Sequence, residues 1–147
     1  MDLKNTTLLL VEDNPDDVLL ALRALKKNHI GNKVLVVEDG VEALDFLFCR
    51  NAYADRDPND MPQLVLLDLR LPKLDGIEVL RRIRADQRTQ DLPVVILTDS
   101  TEEQHVIESY ENGANVFMRK PVDFDQLKEA VTQLGISLVV LNSKPDQ

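Results

Sequence analysis

Five short apolar runs separated by longer amphipathic stretches are the feature that most constrains how this chain of 147 residues can fold. The runs occupy residues 8–11, 34–37, 64–67, 93–97 and 116–118. They are continuously apolar, which is typical of strands buried on both faces of a parallel sheet. The stretches between them carry apolar residues at helical spacing. This strict alternation predicts an α/β fold, a doubly wound five-stranded parallel sheet with helices on both faces.

Local signals place the predicted helices between these runs. Asn14 and Pro15 suit the cap and first turn of a helix over residues 15–28. Asn112 and Gly113 are a typical helix end. The other helical faces lie at residues 41–48, 77–83, 106–110 and 127–134. Residues 51–62 form the one long polar loop, of a length that is often functional or mobile.

Composition narrows the functional class. The length fits one domain, and Asp and Glu total 26 against 17 Lys and Arg, a formal charge of −9. An acidic surface repels polyanions, so we expect no nucleic-acid partner. Cys49, the single cysteine, cannot form an internal disulfide and is expected to pack rather than react. The sequence has no membrane-length apolar segment and no signal-peptide pattern, so we expect a cytoplasmic protein with no membrane partner.

Candidate site residues follow four of the five runs, at the carboxyl ends of the predicted strands, where ligands bind in open parallel sheets. They are Glu12 and Asp13, then Asp68, then Thr98, Asp99 and Ser100, and finally Lys120. Clustered carboxylates need a cation, and hard oxygen ligands suit Mg²⁺. A carboxylate beside Mg²⁺ and a lysine can accept a phosphoryl group as an acyl phosphate, with a hydroxyl donating to one of its oxygens.

Each of these residues also has a simpler interpretation when taken singly. Glu12 and Asp13 could cap a helix or lie in a loop, and Asp68 could be an ordinary helix cap. Thr98 could begin the next helix, and Lys120 could be a solvated strand end. Their joint occurrence at the ends of predicted strands favours a site.

The chain resembles the receiver domain of two-component response regulators over residues 8–134. Residues 10–14 (LVEDN) are similar to the acidic-pair motif, and residues 66–72 (LLDLRLP) to the phosphoacceptor motif, with Asp75 and Gly76 in the expected turn. Thr98 matches the switch hydroxyl, Phe117 the switch aromatic, and Lys120 the lysine that precedes a proline, here Pro121. The resemblance implies a flavodoxin-like sheet with strand order 2-1-3-4-5.

The resemblance also implies roles for these residues. Asp68 is the phosphoacceptor, supported by Lys120 and Thr98. Thr98 and Phe117 form the switch that reads phosphorylation. Mg²⁺ is surrounded by Glu12, Asp13, Asp68 and the Arg70 backbone carbonyl, with Asp13 and Asp68 as the direct carboxylate ligands. The phosphoryl donor is a sensor histidine kinase.

Two positions depart from the usual pattern. Asp99 follows Thr98 where a small residue is common, and Arg70 lies two positions beyond Asp68. We expect both to influence the lifetime of the acyl phosphate rather than its formation.

The organisation we expect is a receiver domain at residues 1–134 and an apolar C-terminal extension at 135–147. With no output module following, the protein is expected to be a stand-alone switch and not an enzyme, acting on an unknown downstream protein. The long loop and the tail resemble the small response regulators associated with bacterial phytochromes. Two alternatives are a phosphorylation-independent adaptor and a phosphohydrolase; a dehalogenase-like phosphatase would need an aspartate where Arg70 lies.

A homodimer is also predicted. Apolar residues recur at steps of four and three, which is the spacing of a helical packing seam. They are Leu127, Val131, Leu134, Leu138 and Leu141.

Overall fold

The computed structural model describes residues 6–27, 33–99, 102–120 and 123–133. Five strands alternate with five helices along the chain, as predicted. The strands are β1 (Thr6–Val11), β2 (Lys33–Val37), β3 (Leu64–Leu67), β4 (Val94–Thr98) and β5 (Val116–Arg119). The helices are α1 (Pro15–Lys27), α2 (Gly40–Leu47), α3 (Gly76–Ala85), α4 (Glu103–Glu111) and α5 (Phe124–Gln133).

All four strand pairings are parallel, in the order β2-β1-β3-β4-β5. This confirms the predicted doubly wound sheet and its strand order. From β1 the chain adds β2 on one side, and it then adds β3, β4 and β5 on the other side. The strand order therefore switches between β1 and β3, and ligands in such folds bind in the crevice at the carboxyl ends of these two strands.

Strand residues alternate between two hydrophobic cores, one on each face of the sheet. Leu9, Val65 and Ile96 point into the core that α2 and α3 cover, which includes Phe46 and Leu80. The intervening strand residues point into the second core, where Ala21 and Leu25 of α1 and Leu127 of α5 pack. Burial on both faces explains why the strands are continuously apolar.

The predicted start of α1 is confirmed. The side-chain oxygen of Asn14 accepts hydrogen bonds from the backbone N–H groups of Asp16 (2.9 Å) and Asp17 (3.3 Å). These N–H groups have no partner within the helix, and Pro15 lacks an N–H altogether. The first turn of α1 is therefore held in place directly after the acidic residues that follow β1.

The long loop at residues 51–62 is held by Arg56. This side chain stacks on the Phe46 ring, with its guanidinium carbon 3.9 Å from the ring centroid, and donates hydrogen bonds to the carbonyls of Phe46 and Asp60. Tyr53 packs edge-on against the same ring and donates to Glu42 at 2.7 Å. The loop is thereby tied to α2.

Candidate active site

Side chains with acidic, hydroxyl or amino groups lie at the carboxyl ends of four of the strands. Glu12 follows β1, Asp68 follows β3, Thr98 ends β4 and Lys120 follows β5. These strands are neighbours, so the residues converge as predicted. Glu12, Asp68 and Thr98 are buried, although each is polar. Burial of several polar groups together requires that they satisfy one another.

Lys120 occupies the centre of the cluster. Its Nζ lies 2.5 Å from Glu12 Oε1, 2.8 Å from Asp17 Oδ2 and 3.1 Å from Asp68 Oδ2. Burial alone would lower the pKa of Lys120, but hydrogen bonds to Asp17, Glu12 and Asp68 outweigh it and raise the pKa. The ammonium therefore stays charged and offsets the carboxylates around it.

Glu12 lies in the same surroundings, but there the neutral form of the side chain gains relative to the charged form. Burial, together with the nearby Asp68 carboxylate, raises the pKa of Glu12 to about 7, although the hydrogen bond from Lys120 opposes this shift. The backbone N–H of Asn14 also donates to Glu12 at 3.2 Å. One lysine thus does not fully compensate the acidic residues gathered at this edge.

Glu12, Asp13 and Asp68 can hold a divalent cation. One carboxylate oxygen from each residue lies within 4.8 Å of the others. Asp13 is exposed, whereas the other two are buried, so the cluster opens to water on the Asp13 side. Three hard oxygen donors with access to water are the donor set that Mg²⁺ prefers, because it retains several water ligands.

Asp68 is oriented through both of its carboxylate oxygens. Oδ1 accepts a hydrogen bond from the Arg70 N–H at 3.2 Å, and Oδ2 accepts one from Lys120. The helix cap in this segment is Asp75, which accepts from Glu78 N–H at 3.0 Å. The simpler interpretation of Asp68 as a helix cap therefore does not apply. A side chain at Gly76 would collide with the Asp68 carbonyl oxygen, so the loop requires glycine there.

Thr98 and Phe117 lie on neighbouring strands. Thr98 shares the sheet face of Ile96, and Phe117 packs against the core on that face. Phe117 is half-buried, and its backbone N–H donates to the Tyr110 hydroxyl of α4 at 3.1 Å. Thr98 is the buried last residue of β4 and does not begin a helix. The predicted switch pair is thus placed between the acidic cluster and α4.

The structure shows the positions of some of the other predicted site residues but does not test their roles. Arg70 and Asp99 are exposed at the site's edge, and their influence on the acyl phosphate stays a prediction. The same is true of the Arg70 carbonyl as a metal ligand. Ser100, Pro121 and the residues of the tail lie outside the described residues.

Asp17 is the site residue that the sequence did not reveal. It lies in the first turn of α1, where acidic residues are common because they complement the helix dipole. Its contact with Lys120 joins residues 103 apart in the chain. The only sequence signal is its place on the helix that begins beside Asp13.

Comparisons with known proteins agree with this geometry. The chain matches the family model of the response regulator receiver domain over residues 8–132. It is similar to the solved structure of the bacteriophytochrome response regulator AtBRR, with a TM-score of 0.84 and 46% identity, covering 95% of this chain and 99% of that one. It is also 38% identical to response regulator Rcp1 of Synechocystis over 124 residues, which cover 84% of this chain and 82% of Rcp1.

Solved relatives also contain divalent cations. One is the Mn(2+)-bound form of Rcp1, with a TM-score of 0.73 and 34% identity, covering 90% of this chain and 98% of that one. Another is the receiver domain of sensor histidine kinase PA1611 from Pseudomonas aeruginosa, which has a magnesium ion in its active site cleft. That domain has a TM-score of 0.69 and 28% identity, covering 88% of this chain and 96% of its own.

Receiver domains bind Mg²⁺, and the oxygen cluster of Glu12, Asp13 and Asp68 fits that ion. The family match covers most of the chain, and the strand order is that of the solved relatives' fold. The chain therefore belongs to the family of response regulator receiver domains.

Proposed function

We propose that this protein is a signalling switch that accepts a phosphoryl group on Asp68 from a sensor histidine kinase. The observation that carries the proposal is the pairing of Asp68 Oδ2 with the Lys120 ammonium at 3.1 Å, beside an oxygen cluster suited to Mg²⁺. A nucleophilic carboxylate flanked by two cationic groups is arranged for phosphoryl transfer, because that reaction depends on positioning and on charge neutralisation.

Each residue of the site has its own role in the proposed phosphoryl transfer. An oxygen of Asp68 forms a bond to phosphorus while the bond between phosphorus and the kinase histidine nitrogen breaks, and the imidazole leaves with the electron pair. Glu12, Asp13, Asp68 and the Arg70 carbonyl would hold Mg²⁺, which would supply positive charge to the phosphoryl oxygens. Lys120 donates a hydrogen bond to one of these oxygens, and the Thr98 hydroxyl donates to another.

The output proposed is a change of shape rather than turnover of a substrate. Thr98 moves toward the phosphoryl group, and the half-buried Phe117 ring shifts into the space on the same sheet face, giving a two-state element. The hydrogen bond from the Phe117 backbone N–H to the Tyr110 hydroxyl would transmit this shift of the ring to α4. We propose that this surface contacts a downstream protein.

The kinase proposed is a bacterial phytochrome. Support comes from the similarity to the bacteriophytochrome response regulator AtBRR. Transfer from a purified phosphorylated phytochrome kinase should be much faster than transfer from unrelated histidine kinases. Equal rates from all kinases would contradict this pathway and leave the receiver assignment intact.

Phosphorylation of Asp68→Asn tests the site itself. This substitution keeps the shape of the side chain but removes the anionic nucleophile, so uptake of phosphate from acetyl phosphate with Mg²⁺ should be lost. Asp57→Asn, an exposed change in the loop before β3, should behave like the unsubstituted protein. Phosphate uptake by Asp68→Asn at the unsubstituted level would refute the assignment. Thr98→Ala should still be phosphorylated in this assay. In a separate binding measurement, phosphorylation should change its affinity for a partner less than it changes that of the unsubstituted protein, and equal changes would count against the switch.

A further inference from the structure

Asp17 contacts the Lys120 ammonium from outside the group of oxygens that can hold a cation. Asp17 Oδ2 lies 2.8 Å from Lys120 Nζ, closer than Asp68 Oδ2 at 3.1 Å. The described acidic residues that cluster for a cation are Glu12, Asp13 and Asp68. Asp17 is therefore placed to bind the lysine and not the metal ion.

The three carboxylates around the ammonium differ in what happens to them during the proposed reaction. An ammonium group has three N–H donors, and three carboxylates surround Lys120. Glu12 and Asp68 would also face Mg²⁺, and Asp68 becomes an acyl phosphate. Asp17 undergoes neither change, so it remains available to Lys120 before and after phosphorylation.

The local structure holds Asp17 in this position. Its backbone N–H is bound by the Asn14 side chain at the start of α1. Its side chain is 27% exposed, against 10% for the side chain of Lys120, so it covers the lysine on the water side. The two residues also line a small cavity together with the apolar side chains of Ala21 and Leu97.

We propose that Asp17 is a positioning residue for phosphoryl transfer, holding the Lys120 ammonium where the incoming phosphoryl oxygen arrives. A lysine side chain is flexible and strongly hydrated, and without this partner its ammonium can turn toward water. The inference rests on the proposed function of Asp68. Asp17 takes no part in bond making; with acetyl phosphate, an Asp68 oxygen bonds to phosphorus and acetate leaves with the electron pair.

The test measures phosphorylation of the full chain by acetyl phosphate at saturating Mg²⁺. Asp17→Ala should lower the maximal rate about tenfold, the order expected from loss of one charge-assisted hydrogen bond. The KM for acetyl phosphate and the dissociation constant for Mg²⁺ should stay within about twofold. Asp17→Asn, which keeps the shape of the side chain but loses its charge, should give an intermediate rate.

Asp16→Ala is the matched control. Asp16 is an exposed carboxylate in the same helical turn, so its removal changes the net charge and the helix terminus equally. All three constants should stay within about twofold of the unsubstituted protein. Equal maximal rates for Asp17→Ala and Asp16→Ala would overturn the proposal.

A double substitution tests whether Asp17 acts through the lysine. In a Lys120→Met background, Asp17→Ala should cause no further loss of rate, because the group it positions is gone. The same fold-loss in both backgrounds would overturn the proposal. Failure of the unsubstituted protein to take up phosphate, or uptake by Asp68→Asn, would overturn the proposed function as well, and neither result involves Asp17.

Discussion

Glu12 is a carboxylate that the fold holds almost entirely out of water, with 2% of its surface exposed. Burial costs a charged group its hydration, so the protonated form is favoured and the pKa rises to about 7. In the metal-free protein the folded pKa exceeds the unfolded value of 4.5. This group therefore contributes stability at low pH that is lost as the pH rises through about 7.

Binding of Mg²⁺ reverses this preference, because a carboxylate must lose its proton to face the cation. We predict that Mg²⁺ affinity is nearly constant above pH 7 and weakens below it, approaching about tenfold per pH unit for a single proton. Calorimetric titration with Mg²⁺ at several pH values measures this dependence. Glu12→Gln should bind Mg²⁺ more weakly and with little pH dependence in this range. Equal affinity of the unsubstituted protein on both sides of pH 7 would contradict the prediction.

At the scale of elements, Arg84 joins α3 to the segment that leads into β5. Its Nε donates to the Gly113 carbonyl at 2.9 Å, Nη1 to the Leu92 carbonyl at 2.6 Å, and Nη2 to Asn115 Oδ1 at 3.0 Å. Asn115 Oδ1 also accepts from Val94 N–H at 2.7 Å. Gly113 has φ of +100° beneath this side chain, where a Cβ would be strained. A planar guanidinium thus connects α3, β4 and the turn after α4.

Arg84→Met should lower the free energy of unfolding by about 2 kcal/mol, because it removes several hydrogen bonds from a charged donor and leaves carbonyls without their partner. Arg84→Lys should recover little of this stability, since one ammonium group cannot reach all the acceptors that the planar guanidinium binds. Urea denaturation measures both. Arg81→Met, on the exposed side of the same helix, removes a surface ion pair with Glu78 and should cost no more than about 0.5 kcal/mol. Similar losses for Arg81→Met and Arg84→Met would show that the network is not stabilising.

At the scale of the whole molecule, a single sheet separates two hydrophobic cores, and the site lies at the carboxyl ends of its strands. Alternate strand residues stabilise opposite faces, so the strand ends are held rigidly where Glu12, Asp68, Thr98 and Lys120 meet. Among the described residues, no helix combines the length and apolar character that crossing a bilayer requires. The formal charge of −9 still predicts that nucleic acid is not a partner.

The homodimer stays a prediction at this scale. Of the proposed seam, Leu127 is buried in the core beside α1, so that residue serves the domain itself. Leu134, Leu138 and Leu141 lie outside the described residues. Removal of the apolar segment after Leu134 should convert a dimer to a monomer, as measured by light scattering. A full-length protein that is monomeric at about 50 μM, with and without phosphorylation, would exclude a dimer of ordinary transient affinity.

Local patterns in the sequence were sufficient to predict the elements and most of the site. Continuous apolar runs specify buried parallel strands, and the rule that ligands bind at strand ends selected Glu12, Asp68 and Lys120. The Asn14 cap and the helix end at Asn112 were also predictable, because caps depend on residues adjacent in sequence. Strand order came from the family resemblance, since alternation alone does not specify which strands are neighbours.

Only the tertiary structure decided the contacts between distant residues. Asp17 and Asp16 are equivalent in sequence, yet only Asp17 is seen to bind Lys120, because the rotation of α1 against the sheet determines which carboxylate faces the lysine. Arg84 is likewise one of several arginines in α3, and the approach of the turn after α4 selects it. The sequence by itself determined the strands, the helices and the residues able to perform chemistry, whereas the packing of helices on the sheet decided which side chains meet.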